Sequence, residues 1–488
     1  MSLVGGIDVA VVGAGFSGIG AGVKLKEAGL PFTIYERADR VGGTWRDNVY
    51  PGVECDVPSH LYSFSFARNP RWSKAFSPGD EIQGYLERVV DDFGLRDAIR
   101  FGREVTRAAF DEEDGRWELT FADGATARHR VVVFGTGFLA DPSFPEVPGR
   151  ERFAGLSVHS ARWDPTLDLR GLRVAVVGTG ASAIQIVPRL QPIVDALTVF
   201  QRTPPWVMPK PDHPIGPGVQ RAFEALPALT RAYRDLIYVV LEAFGTGFVL
   251  DPRLNERRRQ WGVAHIESAI DDPLLRSQVT PDYVPGCKRI LFSNDYYPAL
   301  AQPNVELVPR GVAEVTERAV VAADGIEREV DAIVWSTGFD VSRFLGDLEV
   351  IGLGGADLKS RWARGHVEAY YGITVSGFPN AYILTGPNTG LGHNSMVFMI
   401  EAQVHYLMRC IAQLQERRLR YLDVKRGAQN EFNRRLQARM KETVWATGCQ
   451  SWYLDDEGRN HTLWPGFTFE YWLRTRFVNK GDYAAVPS

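Results

Sequence analysis

The chain is poor in cysteine, with four cysteines in 488 residues and no C-x-x-C pair. Cysteines this far apart argue against a disulfide framework and against a zinc site. The missing C-x-x-C pair also argues against a dithiol redox centre, which needs two neighbouring thiols. From these absences we expect no structural disulfides, no metal site and a reducing compartment such as the cytoplasm.

Long hydrophobic runs are also missing. The longest apolar stretch, residues 236–250, contains Glu242 and two glycines, and it is too short to cross a bilayer. It predicts a helix of the core or the wall of a channel. No basic segment followed by an apolar one, as in a secretory leader, precedes the first predicted strand. We therefore expect a cytoplasmic protein without a membrane span.

An excess of charge of one sign is absent as well. The formal net charge is -4 with a pI of about 6.2, and both signs are mixed along the chain, so no basic stripe indicates a nucleic-acid partner. A composition with 45% hydrophobic and 23% charged residues is that of an ordinary globular protein with roughly three domain-sized units. The expected ligands are small molecules.

Glycine, in contrast, is abundant, and the first glycine cluster follows a predicted buried strand. Residues 9–18 read VAVVGAGFSG, and Glu36 ends the next predicted strand. In a dinucleotide-binding unit Gly13 makes the tight turn, Gly15 lets the backbone approach a pyrophosphate and Gly18 lets the helix pack on the strand. A carboxylate at Glu36 suits an unphosphorylated ribose, so this site predicts FAD.

A second cluster of the same kind lies at residues 173–183, RVAVVGTGASA. The positions that face the dinucleotide are Gly178, Gly180, Ser182 and Ala183. The strand predicted at residues 196–200 is followed by Arg202 and Thr203 instead of an acidic residue. A guanidinium there can bind a 2′-phosphate through two hydrogen bonds, whereas a carboxylate would repel it. The second site therefore predicts NADP(H).

Two near-identical turns, residues 135–137 and 336–338, end apolar strands on either side of the second site. They resemble the turns at which two-dinucleotide flavoproteins cross between their nucleotide domains. The predicted fold is α/β, with two Rossmann-like dinucleotide-binding domains and a helical insertion. Its predicted parts are an FAD-binding domain at 1–148 and 375–488, an NADP-binding domain at 149–214 and 276–374, and a helical cap at 215–275.

Between the two sites, residues 153–164 read FAGLSVHSARWD and fit the pattern F-x-G-x-x-x-H-x-x-x-W-(P or D). The pattern is carried by Phe153, Gly155, His159 and Trp163. It resembles the fingerprint of the type I Baeyer–Villiger monooxygenases, which are class B flavoprotein monooxygenases. In that family the fingerprint connects the two nucleotide domains, so the resemblance implies interdomain hydrogen bonding for His159. A lone histidine is more often structural than catalytic, and both roles stay open here.

A second stretch, residues 42–56, has the G-G-x-W, aromatic-Pro-Gly and Asp spacing of the same family. In the family this loop wraps the flavin and its last residue, here Asp56, enters the active site. The resemblance further assigns cofactor contacts to Gly43, Thr44, Trp45, Asp56, Tyr62, Val105 and Asn394.

Lys288 and Arg289 resemble the family's Lys-Arg segment. The resemblance places Arg289 over the flavin and gives Lys288 to the NADP phosphate. A permanent guanidinium charge stabilises a peroxide anion and the oxyanion of a carbonyl adduct, and Asp56 would orient it and compensate its burial. The tail from Ser451 resembles a compact branch of the family, and Trp452 in it is a candidate to close over the substrate.

The resemblance implies an FAD- and NADPH-dependent monooxygenase that inserts one oxygen of O2 beside a ketone carbonyl through a flavin C4a-peroxide and gives an ester or lactone. The expected partners are a small-molecule ketone and O2. Alternatives are an N- or S-oxygenating flavin monooxygenase, an NADPH:acceptor reductase or oxidase, and a redox sensor without turnover. The sequence leaves the ketone, the selectivity and the oligomeric state open.

Overall fold

The structure is a computed structural model that describes residues 6–340, 344–449, 451, 453–455 and 457–488. Its strands are β1 (Val9–Val12), β2 (Phe32–Tyr35), β3 (Ile99–Arg100), β4 (Val105–Asp111), β5 (Arg116–Phe121), β6 (Thr126–His129), β7 (Val131–Phe134), β8 (Leu156–His159), β9 (Arg173–Val177), β10 (Ala196–Phe200), β11 (Val207–Met208), β12 (Leu291–Phe292), β13 (Val305–Val308), β14 (Val312–Val315), β15 (Ala319–Ala322), β16 (Glu327–Glu329), β17 (Ala332–Trp335), β18 (Glu349–Ile351), β19 (Ala381–Ile383), β20 (Leu419–Val424) and β21 (Tyr483–Pro487).

The α-helices lie between and over these strands. They are α1 (Phe16–Glu27), α2 (Thr44–Asp47), α3 (Gly79–Asp92), α4 (Ala183–Leu190), α5 (Pro217–Ala225), α6 (Pro227–Val249), α7 (Glu256–Ala269), α8 (Pro273–Val279), α9 (Tyr296–Leu300), α10 (Leu358–Arg364), α11 (Met396–Glu416), α12 (Arg426–Met440) and α13 (Thr468–Arg474).

A first sheet of five parallel strands has the order β19-β7-β1-β2-β3. β1 and β7 at its centre are buried along their whole length, as expected for the apolar strands of a parallel sheet covered on both faces. Helix α1 follows β1 directly and packs beside α11. The strand order reverses at β1, and this is where an open parallel sheet forms a crevice for a dinucleotide.

A second parallel sheet of five strands has the order β13-β10-β9-β17-β8. Around its first glycine turn the order is the same as in the first sheet, since β9, β10, β13 and β17 take the places of β1, β2, β3 and β7. The edge place held by β19 in the first sheet belongs here to β8, which carries the fingerprint histidine. The predicted α/β fold with two Rossmann-like units is confirmed.

A mixed sheet, β18-β4-β5-β6, packs against the first parallel sheet. Its edge strand β18 pairs in parallel with β4, with Val350 opposite Ala108. β18 falls in the range 276–374 that the sequence assigned to the second unit. The chain thus rejoins the first unit before residue 375, through a strand too short to be recognised from its pattern.

The helices α5, α6 and α7 occupy the region for which the sequence predicted a helical insertion. The interpretation of residues 236–250 as a core or channel helix was wrong for one face of α6, because Leu236, Val239 and Val240 are each more than half exposed. The opposite face is buried and includes Glu242. Among the described residues, no helix is both long and apolar enough to cross a membrane.

Candidate active site

The turn between β1 and α1 has room for a dinucleotide only because its residues are glycines. Gly13 has a φ of +99°, and a Cβ at Gly18 would lie 1.8 Å from the carbonyl oxygen of Gly13. Gly15 begins α1 and faces Gly43, whose Cα lies 3.6 Å from the position of a Cβ at Gly15. The free amides at this helix N-terminus suit a pyrophosphate. The geometry therefore fits the dinucleotide predicted for this site.

Glu36 lies at the end of β2, buried beside the glycine turn. Its Oε2 accepts a hydrogen bond from the amide of Ala14 at 2.8 Å, and its Oε1 accepts hydrogen bonds from Arg46 Nη1 and from the amide of Ala38, both at 2.9 Å. These donors fix the carboxylate where the ribose of a bound dinucleotide is expected. Val105 begins β4 close by, since the amide of Arg103 donates to the carbonyl oxygen of Glu36 at 2.9 Å.

The loop predicted to wrap the flavin starts on this side of the turn. Gly43 adopts a φ of +55° and precedes α2, whose first residues are Thr44 and Trp45. The indole Nε1 of Trp45 donates to the hydroxyl of Tyr62 at 3.2 Å, and the ring of Phe16 meets that of Tyr62 edge-on with 5.2 Å between centroids. These predicted cofactor residues form one wall next to the glycine turn.

Asn394 precedes α11, but its side chain is already engaged within the protein. Its Nδ2 donates to Glu242 Oε1 at 2.6 Å, and its Oδ1 accepts from the amide of Ser395 at 2.7 Å. Glu242 also accepts hydrogen bonds from the amide and hydroxyl of Thr468. Only the backbone of Asn394 is left for a cofactor, and its side chain fastens α6 to the start of α11.

The second glycine turn repeats the geometry of the first. Gly178 has a φ of +108°, and a Cβ there would lie 2.4 Å from the carbonyl oxygen of Ser336. No described atom lies within 4 Å of a Cβ position at Gly180, so the backbone there is open to a ligand. Ser182 and Ala183 begin α4, and the hydroxyl of Thr179 donates to the carbonyl oxygen of Thr203 at 3.2 Å. This site fits a pyrophosphate on the helix N-terminus.

Arg202 and Lys288 lie close together beside this second turn although they come from distant segments. Burial lowers the pKa of Lys288, and the nearby positive charge of Arg202 lowers it further. Within the described part of the chain neither has a carboxylate at salt-bridge distance, and Lys288 Nζ lies 5.0 Å from the ring centroid of Tyr283. Asp282 acts on Lys288 only from beyond salt-bridge distance, so two neighbouring cations without a direct carboxylate partner fit a phosphate.

Asp56 and Arg289 meet between the two glycine turns. Arg289 donates from Nε at 3.0 Å and from Nη2 at 2.5 Å to the same oxygen, Oδ2 of Asp56. The Asp56 carboxylate raises the pKa of Arg289. Burial raises the pKa of Asp56, but the attraction and hydrogen bonds of Arg289 together with the charge of Lys210 outweigh it, and the net shift is downward. Both groups are therefore charged at neutral pH.

A second layer of charge, which the sequence motifs did not indicate, lies behind this pair. The Glu54 carboxylate binds Lys210 Nζ at 2.5 Å on one oxygen and Lys74 Nζ at 2.5 Å on the other. The Gln185 side chain on α4 accepts from the hydroxyl of Tyr50 at 3.0 Å and donates to the carbonyl oxygen of Glu54 at 3.0 Å. These contacts fasten the loop before Asp56 to the second sheet and its helix. The only hint of these contacts in the sequence was that the loop matched to the family contains polar residues.

A segment of the tail also reaches the site. Tyr453 is buried close to Arg289 and Asp56, and burial raises its pKa to about 12. Its neighbour Trp452, the candidate substrate residue, lies outside the described residues.

The same segment is tied to the Arg289 loop by a disulfide between Cys287 and Cys449, with 6.1 Å between the Cα atoms. The expectation of no structural disulfide was therefore wrong. The two cysteines are 162 residues apart in sequence, and only the fold brings them together. Cys55 and Cys410 are buried free thiols.

The fingerprint residues lie at the edge of the second sheet and not against Arg289. A Cβ at Gly155 would lie 2.4 Å from the carbonyl oxygen of Asp331 and 2.7 Å from the Phe153 ring. His159 ends β8, and its Nδ1 accepts from the amide of Ala161 at 3.1 Å. Trp163 is buried in the core of the second sheet. Burial lowers the pKa of His159 to about 4, so the imidazole is neutral at pH 7.

The fold and the site together define a flavoprotein with two dinucleotide-binding turns and a charged Arg–Asp pair between them. The sequence model of the flavin-binding monooxygenase-like family matches residues 6–217. A Baeyer–Villiger monooxygenase of Streptomyces coelicolor is 51% identical over 98% of this chain and 93% of its own length. One of Pseudomonas aeruginosa is 45% identical over 97% of this chain and 90% of its own.

Solved structures agree with these relatives. An oxidized steroid monooxygenase bound to NADP has a TM-score of 0.88 and 31% identity over 99% of both chains. The cyclohexanone monooxygenase from Rhodococcus sp. Phi1 bound to NADP+ also has a TM-score of 0.88, with 29% identity over 99% of both chains. The chain belongs to the Baeyer–Villiger monooxygenase family of FAD- and NADP-dependent flavoproteins.

Proposed function

We propose that this enzyme inserts one oxygen atom of O2 beside the carbonyl of a small-molecule ketone, at the pair of Asp56 and Arg289. The observation that carries the proposal is the pairing of this half-buried guanidinium with Asp56, whose loop is fastened to α4 of the second unit. Bound FAD supplies hydride acceptance from NADPH and the activation of oxygen, which no side chain can supply. We propose the cytoplasm, where NADPH is produced, as the place of action.

Arg289 carries the electrostatic part of the reaction in this proposal. Its Nε and Nη2 are both used by Asp56, and within the described part of the chain its Nη1 makes no hydrogen bond. A free N–H on a fixed, permanently charged group stabilises negative charge that develops on the carbonyl oxygen of the ketone. Asp56 holds the guanidinium plane in place, so little reorganisation is needed when that charge appears.

Arg202 and Lys288 select the reductant. Neither cation forms a salt bridge within the described residues, and their position beside the second glycine turn suits the 2′-phosphate that distinguishes NADPH from NADH. Lys288 directly precedes Arg289, so a phosphate that binds Lys288 also fixes the chain segment that carries the catalytic guanidinium. Cofactor binding and the position of the charge at the reacting carbonyl are thereby coupled.

The test is product analysis by mass spectrometry under labelled dioxygen. FAD-loaded protein receives NADPH and a panel of cyclic, linear and aryl ketones together with one thioether. One labelled oxygen atom in an ester or lactone supports the proposal. A labelled sulfoxide without any ester would assign the enzyme to heteroatom oxygenation instead, and NADPH consumption that yields only hydrogen peroxide on the whole panel would assign it to the oxidases.

A further inference from the structure

Helix α13 and the residues after it expose an unusual set of side chains. Phe477 is 71% exposed, and three further large apolar side chains of this short segment are exposed as well, while Tyr471 is buried. The apolar members are Phe469, Trp472, Leu473 and Phe477, and the exposed cations among them are Arg474, Arg476 and Lys480. We call these seven residues the α13 surface. Contiguous exposed apolar groups on a soluble protein mark a binding face.

The three cations of the α13 surface form no salt bridge among the described residues. Arg476 lies over the ring of Trp472, 4.3 Å from its centroid. Glu470, the acidic residue of α13, is bound to Arg439 at 2.6 Å instead. The surface therefore combines aromatic and aliphatic side chains with uncompensated positive charge.

Helix α6 holds the start of α13 through its buried face, which includes Glu242. The hydroxyl of Thr468, the first residue of α13, donates to Glu242 and accepts from the hydroxyl of Tyr238 at 3.0 Å. Val239 follows Tyr238 on α6 and is exposed, as is Phe469, which follows Thr468. These contacts of Thr468 hold the start of α13 in place, so the exposed side chains of the α13 surface lie on a fixed element.

We propose that the α13 surface docks the enzyme on an anionic phospholipid surface. Phenylalanine, tryptophan and leucine enter the boundary between headgroups and acyl chains, while arginine and lysine bind lipid phosphates. A second copy of the chain is the less fitting occupant, because a twofold interface places the same patch on both sides and would set these unpaired cations against one another. Such docking concentrates lipophilic ketones near the enzyme.

The experiment is co-sedimentation of the FAD-loaded protein with two kinds of vesicle, phosphatidylcholine alone and phosphatidylcholine mixed with phosphatidylglycerol. We expect binding to the mixed vesicles that weakens with added salt, and at least tenfold weaker binding to the neutral ones. Replacing Arg474, Arg476 and Lys480 together by serine should weaken binding to the mixed vesicles by about 100-fold, roughly fivefold for each cation.

Further variants measure the contribution of the apolar side chains to vesicle binding and provide controls. Trp472→Ser with Phe477→Ser should abolish vesicle binding, while Ile326→Ser and Arg310→Ser, exposed residues on the second unit, should leave it unchanged. All variants should keep the flavin absorbance and the NADPH oxidation rate, because these residues lie outside the Arg289 site. Vesicle binding needs no turnover, so it is judged separately from the ketone reaction.

Three results would overturn the proposal. They are no binding to either kind of vesicle, equal binding to both kinds, and a concentration-dependent dimer in sedimentation velocity that Phe477→Ser dissociates. The last result would assign the α13 surface to a second copy of the chain.

Discussion

Arg289 donates both Nε and Nη2 to a single oxygen, Oδ2 of Asp56, across 233 residues of sequence. This arrangement fixes the plane of the guanidinium and leaves its Nη1 for another acceptor. The position of the acceptor oxygen thus decides where the remaining donor points. A carboxylate that bound Nη1 and Nη2 symmetrically would turn both terminal nitrogens away from a substrate.

Arg289→Ala should lower the rate of ester formation by about 100- to 1000-fold, the usual loss when one donor to a developing oxyanion is removed. NADPH should still be oxidised, with hydrogen peroxide as the product, because hydride transfer does not use this guanidinium. The measurement is the ratio of ester to NADPH consumed, with Arg310→Ala as the control. An unchanged ratio in Arg289→Ala would remove the assigned role.

Arg202→Ala should raise the KM for NADPH by about 10- to 100-fold, the range expected for a lost hydrogen bond to a charged group. The KM for NADH should change little, because NADH has no 2′-phosphate. Steady-state kinetics with both reductants provide the check. A similar rise for both would mean that Arg202 does not contact the phosphate.

Lys210→Met should destabilise the protein more than Lys74→Met. Both lysines bind Glu54, but the Lys210 side chain is 4% exposed and that of Lys74 is 29% exposed. Removing one partner of a buried ion pair lowers the free energy of unfolding by about 3 kcal/mol. A more exposed pair contributes about 1 kcal/mol or less to it. Thermal melting of both variants tests this. The double variant Glu54→Gln with Lys210→Met should lose less stability than the sum of the losses in the two single variants.

Non-reducing peptide mapping should recover a Cys287–Cys449 linkage and unmodified thiols at Cys55 and Cys410. Reduction should lower the melting temperature of the protein, because a cross-link that closes a loop of about 100 residues or more restricts the unfolded chain by about 4 to 5 kcal/mol. Cys449→Ser should melt at the same temperature with and without reductant. A mapped thiol at Cys287 in the untreated protein would contradict the pairing.

His159 should not contribute an ionisation to the activity profile near neutral pH, because burial lowers its pKa to about 4. The pKa of about 6.5 in the unfolded chain is higher, so the unfolded chain takes up the proton first as the pH falls. The contribution of neutral His159 to the stability of the fold is therefore complete above about pH 6.5 and is lost as the pH falls toward 4. His159→Gln should therefore show a smaller fall in melting temperature between pH 7 and pH 4. Loss in this variant of an activity midpoint between about pH 6 and 7 would instead indicate an acid–base role.

The dinucleotide turns could be predicted from sequence because their requirements are local. Residues 196–200 were expected to form a strand and are β10, and Arg202 follows that strand where a phosphate-binding residue was expected. Gly13 and Gly178 have positive φ values, which glycine adopts without strain. Each of these features depends on a few consecutive residues and on backbone geometry that a single segment determines.

The partners of Asp56 in the second layer could not be predicted in this way. Lys210 lies 156 residues from Glu54, and no periodic pattern connects the two positions. The exposed face of α6 could not be predicted either. An apolar run predicts burial against another element, but in the fold no element covers this face of the helix within the described residues.

The residues alone were enough to predict one glycine turn for FAD and one for NADP, and to identify the Baeyer–Villiger monooxygenase family, because these signals lie in short segments with strict spacing. Only the tertiary structure decided that Cys287 pairs with Cys449, that Lys210 supports Glu54 behind Asp56, and that the α13 surface stays open. Each of these depends on where distant segments meet, and that is set by the packing of the whole core.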